Sequence, residues 1–452
     1  MNNKILLINP PMTYLTSVEP IRLAQPMGIC YIAGVLERAG YDIKLLDAHA
    51  EGYYGRQKLG DRTQVGLSEK EIRDKIMDFN PAIVGVSSMF TDQYHNAKMV
   101  CKAAKEANPE IITCMGGVHP TLVPEEVLKD PNVNYILRSE AEYSFLDFCD
   151  WQIKEKNISP EKIDGLNLNP KEQWIKNLDD LPFPARHLLP LQKYFEAGKA
   201  YREPSKREPA FPIITSRCCP ASCRFCATHL MQGYYRERSV DNVIAEMEYL
   251  IDNYGMKEIY FLDDALAHGN FRQILKKMIE KKFDVVWHGA NGIAVYSMDD
   301  EIIELFAKSG CYKVLLAIES GVQETLAYMR KPVRLEKVRA VVEKIKSYGM
   351  KTESLFMIGL PCETKESMQN TVKFAESLNL DYATFPIATP FPGTDLYKDC
   401  LEKGYLVKDY KYENLKFGIG NIQTEEWGPE FVENLRKEAW LRINKIDSAN
   451  LD

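Results

Sequence analysis

The run SRCCPASCRFC, Ser216 to Cys226, places Cys219, Cys223 and Cys226 in a C-x3-C-x2-C loop. A chain reaches at most about 3.3 to 3.6 Å per residue, so neighbouring thiols lie within roughly 14 Å and 11 Å of one another even when the loop is stretched. One shared metal centre is therefore expected, and two kinds suit these ligands. A cubane iron–sulfur cluster ordinarily takes four cysteines. Three would leave one iron open, as catalytic metal sites keep a position for a reactant where structural sites close it. The other kind is a Cys3His zinc site, because His229 follows Cys226 by three residues. Disulfides are not expected. The eleven cysteines are scattered without a paired framework, and the opening Met-Asn-Asn-Lys-Ile-Leu-Leu-Ile enters a strand instead of a signal peptide's apolar run.

Outward from the loop, the chain over 211–400 repeats strand and helix. Residues 212–215 read as the strand that delivers the cysteines, with further strands at 258–262, 284–288, 313–318, 353–358 and 382–387. Ser239 suits the N-cap of a helix whose Val243, Ile244, Met247, Leu250 and Ile251 share one face. Repeated βα units predict a full or partial (β/α) barrel with its site at the carboxyl ends of the strands. Those ends carry Asp263, Asp264, Asn291, Glu319-Ser320-Gly321, Gly359-Leu360-Pro361 and Pro390 to Thr394.

The first third has a different rhythm. Strands at 5–8, 41–46, 83–87, 111–115 and 135–137 alternate with helices at 26–39 and 94–107, and Gly40 suits a helix C-cap. This predicts an α/β fold with a doubly wound, Rossmann-like parallel sheet over 1–145, which binds ligands beyond the carboxyl ends of its strands. There the sequence offers Asn9, Pro10, Ser87, Ser88, Met89, Gly116, Gly117, Val118, His119 and Glu140, the glycine pair allowing close approach to backbone. Residues 146–210, proline-punctuated and charged, read as a surface connector. In the tail, 401–452, Phe431, Leu435, Ala439 and Ile443 recur every four residues and predict an amphipathic helical extension.

The cysteine spacing, with Phe225 before its last member, resembles the signature of radical S-adenosylmethionine (SAM) enzymes. The order of the strand ends, including Ala317-Ile-Glu-Ser-Gly321, is similar to that of their barrels. The opening Asn9-Pro10-Pro11, the Pro26 to Gly34 helix and the Gly116 to Thr121 loop resemble the cobalamin-binding domain that precedes the barrel in class B members. The resemblance implies a 4Fe–4S cluster on Cys219, Cys223 and Cys226, with SAM chelated at the open iron and cobalamin threaded into the N-terminal crevice. It further implies SAM contacts from Phe225, Asn291 and Asp263 or Asp264. Glu319 and Ser320 would hold the ribose or methionine part, and Gly359, Leu360 and Pro361 would approach the adenine. The implied reaction is methylation of an unactivated centre through a 5′-deoxyadenosyl radical and methylcobalamin. Cyclisation or rearrangement without methyl transfer, a cobalamin-free radical enzyme and a cobalamin sensor are the rivals.

Three local features depart from simple expectation. Cys218 stands where relatives usually have glycine. Cys362 interrupts a Gly-Leu-Pro-Gly-Glu-Thr pattern, and a thiol there is a candidate hydrogen or proton donor. Asp47-Ala-His49-Ala-Glu-Gly52 matches a cobalt-ligating D-x-H-x-x-G motif, but after the second strand instead of the first. His49 is therefore not expected below cobalt, and residues 11–17 are the better cover for that face. With a net charge of −7 and no block of five like charges, nucleic acid is not an expected partner. Apolar runs are of strand length, so no membrane span is expected. A soluble cytoplasmic enzyme with a small-molecule or peptide substrate is expected, reduced by a flavodoxin or ferredoxin.

Overall fold

Lys4–Asn9 (β1) buries Ile5 and Leu7 in one apolar cluster and Leu6 and Ile8 in another. A strand apolar on both faces belongs inside a parallel sheet covered by helices. The computed structural model describes residues 2–16, 22–154, 158–198, 200 and 204–446. After β1 follow β2 (Met12–Leu15), β3 (Asp42–Asp47), β4 (Arg56–Leu59), β5 (Arg62–Val65), β6 (Ile83–Ser87), β7 (Ile112–Gly116) and β8 (Tyr135–Leu137). Five form a parallel sheet in the order β3-β1-β6-β7-β8. The winding reverses beside β1, so the crevice opens beyond the ends of β1 and β6. Helices Met27–Arg38 and Tyr94–Ala107 run as the sequence predicts.

Three features of this unit lay outside the sequence reading. Strands β2, β5 and β4 form a small antiparallel sheet, so the segment expected to be a covering loop is largely a strand; Ser17 lies outside the described residues. Helix Glu69–Phe79 starts with a capping box between Ser68 and Glu71. The expected connector is instead part of this unit, which spans residues 1–208 with 230–232. Helix Glu142–Ile153 packs on Met27–Arg38. Leu178, Leu181, Ala185 and Arg186 of the proline-punctuated stretch are buried, as are Leu189 and Tyr194 beyond it. Proline fixes backbone shape but says nothing of which side chains find a core, so this stretch packs on helix Met27–Arg38 instead of bridging solvent. Arg202 and Glu203 lie outside the described residues.

The second unit, residues 209–229 with 233–452, contains β9 (Ala210–Ile213), β10 (Ser216–Arg217), β11 (Arg236–Glu237), β12 (Glu258–Phe261), β13 (Val286–Gly289), β14 (Cys311–Glu319), β15 (Lys351–Phe356) and β16 (Tyr382–Thr384). Its parallel sheet runs β9-β12-β13-β14-β15-β16. Each βα step moves one strand in the same direction, and among the described residues β9 does not pair with β16: the sheet is a partial barrel. Helix Pro429–Ile443 protects the β16 edge. Trp440 donates to Tyr382 Oη at 2.9 Å, and Asn444 pairs both ways with the main chain of Ala383, at 2.9 and 2.8 Å, replacing the missing ladder partner. Among the described residues no helix is long and apolar enough to cross a membrane.

Candidate functional site

Beyond β9 the chain turns through Cys218, whose φ of +67° is the left-handed conformation that glycine adopts without strain. A glycine at this position would hold the same turn without a Cβ penalty. The Cys218 thiol is buried and lies 3.7 Å from His229 Nδ1 and 3.6 Å from the Gly233 carbonyl. His229 faces carbonyls with both ring nitrogens, Nε2 at 2.8 Å from Ala221 O and Nδ1 at 3.2 Å from Gly233 O. It staples the cysteine loop and is not turned to serve as a fourth zinc ligand.

Cys219 and Cys223 line an open cleft together with Asp264, Gly292, Tyr296 and Lys331. Cys226 stands exposed, its thiol 3.2 Å from Thr228 Oγ1. Burial pushes Cys223 up to about 11, with Lys331 pulling against it, and burial also raises Cys219. Lys331 is the feature the sequence reading missed: a single basic residue before a proline gives no periodic signal. Its ammonium is buried in the cleft, 3.2 Å from Glu319 Oε1. Burial works against that charge, but Glu319 and the two cysteines outweigh it and hold the lysine above its ordinary value.

Glu319 reaches Lys331 because β14 slips register against β15 between Ala317 and Glu319, leaving Glu319 at φ +71°. Such a bulge re-aims a side chain at a strand end. Gly321 is required by the close approach of helix Lys365–Ser377: a Cβ there would lie 2.4 Å from Phe374 Cβ.

Other predicted residues point elsewhere. Asp263 is buried and accepts from Thr215 N at 3.0 Å and from the hydroxyls of Thr215 and Ser216, both at 2.6 Å; it clamps the strand end before the cysteines, leaving Asp264 as the aspartate on the cleft. Ser320 is fully buried, sharing a hydrogen bond with Thr371 Oγ1 at 3.0 Å and accepting from Val322 N. Asn291 donates to the carbonyl of Leu262 at 2.9 Å. Phe225 is half-buried. Cys362 is exposed and does not line the cleft.

The turn Gly359-Leu360-Pro361 is fastened from beneath. Gly359 has φ +84°, and a Cβ would meet Val432 at 3.0 Å. Glu363 Oε2 accepts from Leu360 N at 2.9 Å, while its carbonyl accepts from Trp427 Nε1 at 2.7 Å. Glu363 Oε1 is buried without a partner, and burial raises this carboxyl to about 8 despite the backbone bonds.

In the first unit, Ser87 pairs with Gly116, and the loops of β6 and β7 are zipped together by Ser88 N to Gly116 O at 2.7 Å and His119 N to Ser88 O at 3.1 Å. Gly117, at φ +110°, is glycine because a Cβ would sit 2.7 Å from Ser88 O; the approach it permits is of loop to loop. Ser88 Oγ is buried with no hydrogen-bond partner, an orphaned hydroxyl at the crevice. Met89 and Phe90 follow it exposed, Pro10 is buried, and Val118 begins the short helix after β7. His119 is buried, its ring 4.1 Å from that of Tyr94.

Asn9 donates to Asp47 Oδ1 at 3.0 Å, and Glu140 accepts from Ile175 N at 3.2 Å, so both polar heads are engaged inside the unit. Asp47 accepts from the amides of His49 and Ala50 and from Tyr194 Oη. The carboxylate thus caps the turn after β3 and does not orient the His49 ring, which is buried beside Tyr14 and Tyr53 with Nε2 unpartnered.

The residues present suit both implied groups in their chemistry, while Cys226 does not line the cleft with Cys219 and Cys223 and, among the described residues, no three His, Cys, Asp or Glu side chains converge closely enough to hold a single metal ion. The orphaned Ser88 hydroxyl can receive a polar atom of a cobalamin tail, and a cleft combining two thiols, a cation and a carboxylate suits an iron–sulfur cluster with a zwitterionic ligand. Residues 22–148 match the B12 binding domain family, and residues 213–375 match the radical SAM superfamily. The chain is 33% identical to cytidylyl-2-hydroxyethylphosphonate methyltransferase of Streptomyces wedmorensis, over 95% of this chain and 88% of that one. It is 30% identical to an uncharacterized methyltransferase of Pyrococcus horikoshii, over 89% and 84%. In fold it is similar to the radical SAM methyltransferase TsrM of Kitasatospora setae, solved with cobalamin and a 4Fe–4S cluster bound, at TM-score 0.71 and 16% identity over 89% of this chain and 75% of that one. With this pairing of domains and this extent of identity, the chain belongs to the cobalamin-binding radical SAM enzymes.

Proposed function

We propose that this protein is a cobalamin-dependent radical SAM methyltransferase that methylates an unactivated centre of a small molecule. The observation that carries the reading is the cleft where Cys219 and Cys223 face Lys331, in a chain that also presents the Ser88 crevice. When bound, the cluster and SAM supply one-electron cleavage chemistry and cobalamin supplies methyl carriage; the protein binds and orients them. Cys219, Cys223 and Cys226 would hold the cluster, and three protein ligands would leave one iron for SAM. Lys331 would present positive charge to the SAM carboxylate, and its contact with Glu319 at the β14 bulge keeps that lysine aimed into the cleft. Asp264, which lines the same cleft, would take the amino group, and the turn fastened by Glu363 would bound the adenine side. Eleven cysteines, none in a disulfide, suit a reducing cytoplasm with a flavodoxin or ferredoxin as electron donor. The name of the Streptomyces relative makes a cytidylyl-linked hydroxyethylphosphonate the first substrate to assay.

The test is anaerobic reconstitution with iron, sulfide and cobalamin, followed by reduction with SAM. About four irons per chain, stoichiometric cobalt and 5′-deoxyadenosine are expected, with a product heavier by one methyl group when substrate is supplied. Cys223→Ala should lose both cluster and SAM cleavage. Deoxyadenosine without bound cobalt would sink the cobalamin part, and product of unchanged carbon count would sink methyl transfer.

A further inference from the structure

The cysteine loop lacks extended sheet pairing where it must hold a cluster. Between Cys223 and Phe225, Arg224 supplies the missing anchorage. Its amide donates to Met329 O at 3.0 Å and its carbonyl accepts from Leu396 N at 2.9 Å. Its guanidinium donates through Nε to Tyr328 O at 3.1 Å and through Nη1 to Asp399 Oδ2 at 2.8 Å, and lies 4.7 Å from the centroid of the Tyr328 ring. Tyr328 Oη donates to the same Asp399 oxygen at 2.7 Å. The arginine and aspartate side chains are about four-fifths buried, at 22% and 21% exposure, so this is not a solvent-screened surface pair.

The partners decide what the anchorage does. Tyr328 and Met329 close helix Gln323–Tyr328, and Lys331 follows two residues later, its amide bonded back to Leu326 O at 2.9 Å. The turn gripped by Arg224 is thus the turn that carries Lys331, and Cys223, next to Arg224, lines the same cleft as Lys331. We propose that Arg224 is a positioning residue that fixes the separation of the cysteine loop from Lys331, and so sets how a cluster-bound SAM meets its cation. The inference rests on the functional reading above. Lysine cannot substitute, because a single ammonium cannot bond Tyr328 O and Asp399 in the fixed fork of a guanidinium.

The test uses reconstituted full-length protein: wild type, Arg224→Ala, Arg224→Lys, Lys331→Ala and Arg224→Ala/Lys331→Ala. Iron content, melting temperature, SAM affinity and the SAM-induced change in the EPR spectrum of the reduced cluster are measured. Both Arg224 variants should keep wild-type iron and stay folded, with a lower melting temperature because the largely buried pair with Asp399 is broken or weakened, while binding SAM about tenfold more weakly, as loss of an outer-shell support does, with the EPR response altered as in Lys331→Ala. The double variant should bind SAM no more weakly than Lys331→Ala, because residues that act through one another are not additive. Wild-type SAM affinity and EPR response in Arg224→Ala, or losses that multiply in the double variant, would overturn the proposal. Should an Arg224 variant lose iron, Asp399→Asn decides, and unchanged SAM affinity there overturns it. A wild-type protein that assembles no cluster, or whose cluster ignores SAM, refutes the functional reading itself and the proposal with it.

Discussion

Glu363 gives the stability of the barrel a pH dependence that can be worked out from its surroundings. Its carboxyl is raised by burial from an ordinary value of 4.5 to about 8. The folded state therefore holds this proton more tightly than the unfolded chain does. Its stabilising effect is complete below pH 4.5, and is lost as pH rises through the interval to 8. The step from pH 5.5 to 7.5 lies inside the interval and costs at most about 3 kcal/mol. Glu363→Gln removes the titration and keeps an oxygen for Leu360 N. For a unit of this size about 1 kcal/mol moves the melting temperature by roughly 2 to 4 °C. The melting temperature of wild type relative to the variant should therefore fall between pH 5.5 and 7.5, by at most roughly 6 to 12 °C. Fluorescence melts are a suitable assay, since the Trp427 indole bonds the Glu363 carbonyl. Melting curves that shift in parallel over this range would show that the carboxyl is ionised throughout, and would refute the reasoning.

Three further outcomes are expected. Ser88→Ala, which deletes an unpaired buried hydroxyl, should stabilise the cobalamin-free protein by about 1 kcal/mol yet weaken cobalamin binding in a titration; unchanged affinity would mean that the hydroxyl does not meet the cofactor. Cys218→Gly trades relief of a left-handed backbone against loss of a buried thiol, each about 1 kcal/mol, so stability should stay within about that range and iron at about four per chain; lost iron would make Cys218 a ligand. His49→Ala should leave the absorption spectrum of bound cobalamin unaltered while lowering the melting temperature, because the ring is buried packing between tyrosines; a changed cobalt spectrum would show that the histidine is a ligand after all.

Legibility in the sequence followed the range of the interaction. The strands of both sheets and the long helices were readable because burial leaves a period within each element, as in the two faces of β1. The C-x3-C-x2-C loop was readable because a chelating loop closes over a few residues. The strand Met12–Leu15 was not, because what makes it a strand is its antiparallel partner β5, some fifty residues on. Nor was the burial of the expected connector, whose Ala185 and Tyr194 find a core built by distant strands and helices.

The sequence by itself thus determined the family, the two parallel-sheet units and the three cysteines. Only the tertiary structure decided which polar groups serve the cleft. Asp263 and Asp264 are adjacent and chemically identical, yet one is taken up by Thr215 and Ser216, 48 and 47 residues away, and the other lines the cleft. Lys331 gains its place from a bulge in β14, and Arg224 from a carboxylate 175 residues distant. A side chain's partner is set by which segments the fold brings together, and periodicity, which reports only the faces of a single element, carries no record of that.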